Sequence, residues 1–94
     1  MVHTLRFDSK SSIRATGDRE YDEAVIMNIQ RYINEVLKCM GYVYLNRIYE
    51  QLGIEWNPLW ENYVYIYDRN DPRLITFSTN FFEVDENLTI DILY

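Results

Sequence analysis

Between residues 19 and 40, apolar side chains recur at three- and four-residue steps: Ile26, Ile29, Ile33, Val36, Leu37 and Met40. That spacing collects them on one face of an α-helix, with Val25 and Tyr32 widening the stripe and Asn28, Arg31, Glu35 and Lys38 largely opposite. Asp18 is the expected N-cap, and Glu20, Asp22 and Glu23 put negative charge where the helix dipole favours it. Gly41 suits the left-handed residue that closes a helix. After Gly41 the period falls from 3.6 toward 2. Tyr42-Val43-Tyr44-Leu45 is β-prone, and Asn46 is expected to cap a short helix over residues 47–52, closed by Gly53. Ile48 and Leu52, four apart, give that helix a docking face under the longer one. Residues 53–58 read as a turn or loop, and Pro58 after Asn57 equally suits the start of a further helical turn holding Leu59 and Trp60.

From Tyr63 the alternation is strict: Tyr63, Tyr65 and Tyr67 share one face of a strand, Val64 and Ile66 the other. The run Asp68-Arg69-Asn70-Asp71-Pro72 carries dense turn chemistry, so residues 74–77 read as the return strand of a hairpin. Ser78-Thr79-Asn80 is expected to loosen the chain, with Phe81 and Phe82 as an apolar anchor and Glu83, Asp85 and Glu86 in an acidic loop. Leu88, Ile90 and Ile92 alternate with Thr89 and Asp91 in a strand with one buried face. At the start of the chain, His3, Leu5 and Phe7 alternate with Val2, Thr4 and Arg6, followed by a Ser- and Gly-containing stretch. Residues 1–18 are therefore expected to be a flexible leader or edge strand, and residues 19–94 a single domain. The predicted fold is α+β: one long N-terminal helix and a short helix packed on a three- to four-stranded antiparallel sheet.

At 94 residues with 48% apolar and 16% aromatic content, the chain has enough material for one core. Charge changes the functional picture more. Residues 1–20 hold four basic and three acidic side chains, whereas residues 21–94 hold five basic and twelve acidic ones, within a net charge of -6. An acidic body repels phosphate, which argues against direct nucleic-acid binding, and the lack of a polybasic patch argues against membrane adhesion. No apolar run approaches the roughly 18–20 residues of a membrane span, and MVHTLRFDSK lacks the apolar centre of a signal peptide. The one cysteine, Cys39, has no internal disulfide partner, which fits a reducing, cytoplasmic setting.

The run Val43, Leu45, Asn46, Tyr49, Leu52, Gly53 follows a V-x-L-N-x-x-Y-x-x-L-G pattern. With Ile75, Phe77 and residues 90–92 as further support, residues 41–94 resemble a small, functionally uncharacterised protein family of phages and mobile elements of Gram-positive bacteria. Where that family often has Gly-Trp before its hairpin, this chain has Asn62-Tyr63. The resemblance implies a shared fold and a phage-like setting in host cytoplasm. It implies no catalytic residues.

The residue inventory argues against an enzyme. It contains one His, one Cys, no metal-ligand spacing and three separated glycines at 17, 41 and 53. No cofactor is expected. His3 has no spaced partner, and the Asp68–Asp71 run lacks the glycine and terminal glutamate of a calcium loop. A helix–strand–helix–hairpin order resembles a winged helix, yet its reading segment, residues 59–63, has no Lys or Arg for phosphate or guanine. What remains is protein binding. Glu50, Glu55, Glu61, Asp68 and Asp71 are candidate phosphate mimics, which with the phage-like resemblance points to an inhibitor of a host defence or nucleic-acid-processing protein. The competing reading is a structural or assembly protein that self-associates, as in a homodimer, through Tyr63, Tyr65 and Tyr67 with Trp56 and Trp60 nearby.

Overall fold

A computed structural model describes residues 2–8, 10, 12–82 and 87–94. The elements are β1 (Val2–Arg6), α1 (Arg19–Met40), β2 (Tyr42–Tyr44), α2 (Leu45–Gln51), a 3-10 turn (Pro58–Trp60), β3 (Val64–Ile66), β4 (Thr76–Phe82) and β5 (Asn87–Leu93). The fold is α+β, as the pattern predicts, but two parts of the expectation need correction. The long helix is not N-terminal in the fold, because β1 precedes it. The strands form two sheets, not one: an antiparallel three-stranded sheet in the order β1-β5-β4 and a separate β2-β3 ribbon.

The ends of α1 follow local chemistry. The Asp18 carboxylate accepts from the Tyr21 backbone N–H at 3.2 Å. Gly41 has φ 83° and donates its N–H to the Leu37 carbonyl, a backbone shape that costs glycine little. Ile26, Ile33 and Leu37 from α1 join Leu45, Ile48 and Leu52 around α2, Ile75 just before β4, and Ile90 and Ile92 of β5 in one core, all fully buried. Each such side chain contributes about 1.5–3 kcal/mol by leaving water.

The predicted hairpin between residues 63–67 and 74–77 does not form. Its turn is real, with Asp71 N–H donating to the Asp68 carbonyl at 3.2 Å, but β3 pairs backwards with β2 in the register Val43↔Tyr65. β4 instead runs straight through Ser78, Thr79 and Asn80, the residues expected to loosen the chain, and pairs with β5 from Thr76↔Leu93 to Phe82↔Asn87. Local alternation shows that a strand exists and not where its partner lies. The expected acidic loop of Glu83, Asp85 and Glu86 lies outside the described residues.

Helix α1 also guards the open edge of β4. The Asn34 side chain donates from Nδ2 to the Ile75 carbonyl at 2.8 Å and accepts the Ile75 N–H on Oδ1 at 2.8 Å. One turn earlier, Gln30 Oε1 accepts the Phe77 N–H at 2.7 Å. The helix thus offers the strand the bonds a neighbouring strand would have supplied, a protection that unpaired edges need.

The segment before α1 is tied down at two points. The buried Ser12 hydroxyl donates to the Leu52 carbonyl and Ile13 N–H to the Gly53 carbonyl. Asp22, only 3% exposed, accepts from Thr16 N–H, Thr16 Oγ1 and Gly17 N–H. Gly53 lies under this crossing with φ 70°, and a Cβ there would sit 2.9 Å from Arg14 Cγ.

Candidate functional site

Asn46 was the expected cap of α2, but that helix begins two residues earlier, after Tyr44, with no side-chain cap. Asn46 is buried and grips the Asn57 backbone instead, each bond 3.2 Å. Asn57 in turn caps the 3-10 turn by accepting the Leu59 N–H at 3.0 Å. Val43, Leu45, Tyr49 and Leu52 are also buried, so the densest motif of the chain faces inward.

The tyrosines that sequence alternation grouped on one strand face turn inward too. Tyr65 is 5% exposed, and Tyr63 and Tyr67 are half-buried against the core. Tyr63 and Tyr65 belong to a row of rings joining the two sheets: Tyr49, His3, Trp60, Tyr63, Tyr65 and Tyr94, with neighbouring centroids 4.8–5.9 Å apart. Four of those five contacts are edge-to-face, an arrangement worth about 0.5–1.5 kcal/mol per pair beyond area burial. His3 and the Tyr49 hydroxyl share a hydrogen bond of 2.6 Å, a partner 46 residues away that no sequence spacing announces. Burial holds the His3 imidazole below its usual pKa and pushes the Tyr49 and Tyr65 phenols up. The Tyr94 hydroxyl closes the row by donating to the Ile66 carbonyl. This is cement between sheets, and it leaves little of Tyr65 for a partner.

The other predicted positions are scattered in accessibility. Trp56 is 63% exposed, while Trp60 is half-buried under His3. Glu50, Glu55 and Glu61 are exposed and enter no ion pair among the described residues. Asp71 is held by Arg73 at 2.9 Å, and Asp68 accepts the Asn70 N–H at 2.8 Å.

An apolar surface does exist, on the other side of the ribbon. Register pairs Tyr42 with Ile66 and Tyr44 with Val64, so those four side chains share the face opposite Val43 and Tyr65. Tyr42 is 43% exposed, Tyr44 46% and Ile66 64%. Beside β2 lies a shallow groove of about 500 Å3, within the range of ligand-binding clefts. Its apolar lining comes from Val36, Cys39 and Met40 of α1 and Val43 of β2, with Glu35 and Arg47 adding charge. Arg47 Nη2 donates to the Tyr32 hydroxyl at 3.0 Å, and Glu35 pairs with Lys38 at 3.7 Å.

Sequence reasoning missed Tyr42, Tyr44, Ile66, Met40 and Arg47 as a group. The available signal was the match of Tyr42-Val43-Tyr44 to Val64-Tyr65-Ile66 as complementary triplets: whichever face holds Val43 and Tyr65 leaves the flanking four on the other. Among the described residues no group of three or more His, Cys, Asp or Glu is placed to hold a metal ion, and no described helix is long and apolar enough to cross a membrane. Comparison with family models, curated proteins and solved structures yields no significant match.

Proposed function

We propose that this chain is a non-enzymatic protein-binding module that engages its partner through the outward face of the β2-β3 ribbon. The observation that carries this reading is the unbroken apolar surface of Tyr42, Tyr44, Val64 and Ile66 next to the groove. Clustered exposed apolar side chains of this kind mark interaction sites, whereas scattered ones do not. The resemblance of residues 41–94 to a phage and mobile-element family makes a host protein the expected partner and inhibition of it the expected outcome.

Two variants of the reading differ in their physics. Glu50, Glu55 and Glu61, exposed and outside ion pairs, support phosphate mimicry toward a basic host protein. Self-association through the ribbon face supports a structural or assembly role, with a homodimer as its simplest form. The test is affinity capture from host lysate at low and high salt, using the wild-type chain and a Tyr42→Ser/Ile66→Ser double variant. Retention that survives high salt and disappears in the variant supports the ribbon reading. Retention lost at high salt but unaffected by the variant transfers the function to the carboxylates, because exposed charges are screened at high ionic strength. Concentration-dependent sedimentation of the purified chain distinguishes self-association from hetero-binding.

A further inference from the structure

We propose that the groove beside β2 takes an extended peptide segment carrying an apolar side chain and, two residues away, an aspartate or glutamate. This deepens the protein-binding reading and rests on it.

The ribbon hydrogen bonds fix which backbone groups are free. Leu45 N–H donates to the Tyr63 carbonyl and Tyr67 N–H to the Gly41 carbonyl. In an antiparallel ladder, bonded residues alternate with unbonded ones. Residues 41, 43 and 45 therefore bond across to β3, and the Tyr42 carbonyl and Tyr44 N–H point away from it. Neither group has a hydrogen-bond partner among the described residues. The groove lies beside β2, lined by α1, β2 and Arg47 with no residue of β3. A strand laid there finds a carbonyl and an N–H waiting, the arrangement used when a peptide adds to a sheet edge.

The charge pattern selects the chemistry of that strand. Arg47 lines the groove; its one described side-chain hydrogen bond is to a neutral hydroxyl, that of Tyr32, and Glu50 on the same helix acts on it through space. No carboxylate lies within ion-pair distance of it among the described residues. Glu35, the acidic residue of the groove, is occupied by Lys38. Glu50 offsets part of the Arg47 charge without coming within ion-pair distance of it, and a guanidinium already oriented by one hydrogen bond is suited to a carboxylate at contact. Side chains on a strand return to the same face every second residue. One apolar residue seated against Val36, Cys39 and Met40 therefore puts the carboxylate-bearing position two residues along, toward Arg47. The net charge of -6 opposes long-range attraction, so the carboxylate acts at contact and affinity is modest.

The probe is an N-acetylated, C-amidated heptapeptide, Thr-Thr-Leu-Thr-Glu-Thr-Thr, whose sole carboxylate is the glutamate. Two readouts follow its binding: the amide resonances of Tyr42 and Tyr44, and the alkylation rate of Cys39, the only cysteine of the chain and a lining residue of the groove. The peptide is expected to shift the Tyr44 amide and slow Cys39 alkylation at submillimolar concentration. Replacing its glutamate by glutamine weakens binding roughly fivefold, as does Arg47→Met, and the two changes together cost no more than one, because each removes the same charge-assisted contact. Arg47 is exposed, so the variant leaves the fold intact, and the glutamine peptide needs no change in the protein. Absence of binding at millimolar peptide, equal binding of the glutamine peptide, or additive effects in the double change overturns the proposal. If the peptide fails while Tyr42→Ser/Ile66→Ser still abolishes partner capture, the protein-binding function stands and only the occupant of the groove is wrong.

Discussion

Replacing Asn34 by alanine removes both hydrogen bonds that tie α1 to Ile75, each 2.8 Å long. Ile75 is fully buried and Asn34 only 7% exposed, so the freed N–H and carbonyl gain no ready access to water. Two lost bonds at about 1 kcal/mol each, plus the penalty of leaving buried groups unpaired, give a loss of about 2–4 kcal/mol. A domain of this size has a total stability of roughly 5–14 kcal/mol, so the variant folds with a much reduced margin. The melting temperature should fall by roughly 8–32 °C, taking about 4–8 °C per kcal/mol. Gln30→Ala is the internal scale: it deletes a single, part-buried bond, from the Phe77 N–H, and should cost about 1 kcal/mol. Urea unfolding followed by tryptophan fluorescence measures both, with the denaturant slope expected unchanged. A loss below about 0.5 kcal/mol for Asn34→Ala, or one equal to that of Gln30→Ala, refutes the claim that the helix seals this strand edge.

Gly53→Ala should destabilise by about 1–3 kcal/mol in the same assay, since the added Cβ meets both an unfavourable φ and Arg14 Cγ at 2.9 Å; Gly17→Ala, with open space around it, isolates the φ contribution. Because burial lowers the folded-state pKa of His3 from 6.5, the unfolded chain binds the proton more readily, and stability contributed by neutral His3 is complete above pH 6.5 and lost as pH falls toward the folded value. Denaturation across that window should show a decline that His3→Gln reduces; a decline of the same size in the variant refutes the assignment. The Tyr42→Ser/Ile66→Ser change, confined to an exposed face, should alter stability by no more than about 1 kcal/mol, and a large drop in its urea midpoint would show that those side chains support the fold.

The legibility of this fold in its sequence divides along a physical line. Helix α1 was readable from Asp18 to Gly41 because caps, dipole charges and a 3.6-residue period act within a few residues of one another. At Pro58 local chemistry left a loop and a helical turn equally open, and the structure takes the turn. The pairing of β3 with β2 was not readable, because alternation in Tyr63–Tyr67 says which residues share a face and is silent on the partner and on which face is buried. Tyrosine compounds the ambiguity: its ring belongs in a core and its hydroxyl needs a polar contact, so Tyr65 inside and Tyr42 outside are equally consistent with the chain. Asn46 was read as a helix cap and Asn34 drew no reading, since an amide carries no signal of the backbone it will grip 11 or 41 residues away. The candidate surface inherits these gaps. Trp56 and the glutamates at 50, 55 and 61 were identified as accessible from sequence, whereas the ribbon face existed only once the strands were paired.

The grips of Asn34 on Ile75 and of Asn46 on Asn57 are both made to main-chain atoms. Such an attachment is indifferent to the side chains it holds in place, so residue 75 can be exchanged for another of acceptable size without loosening the joint, while each asparagine is hard to replace. A chain assembled in this way can drift far in its letters with its architecture unchanged.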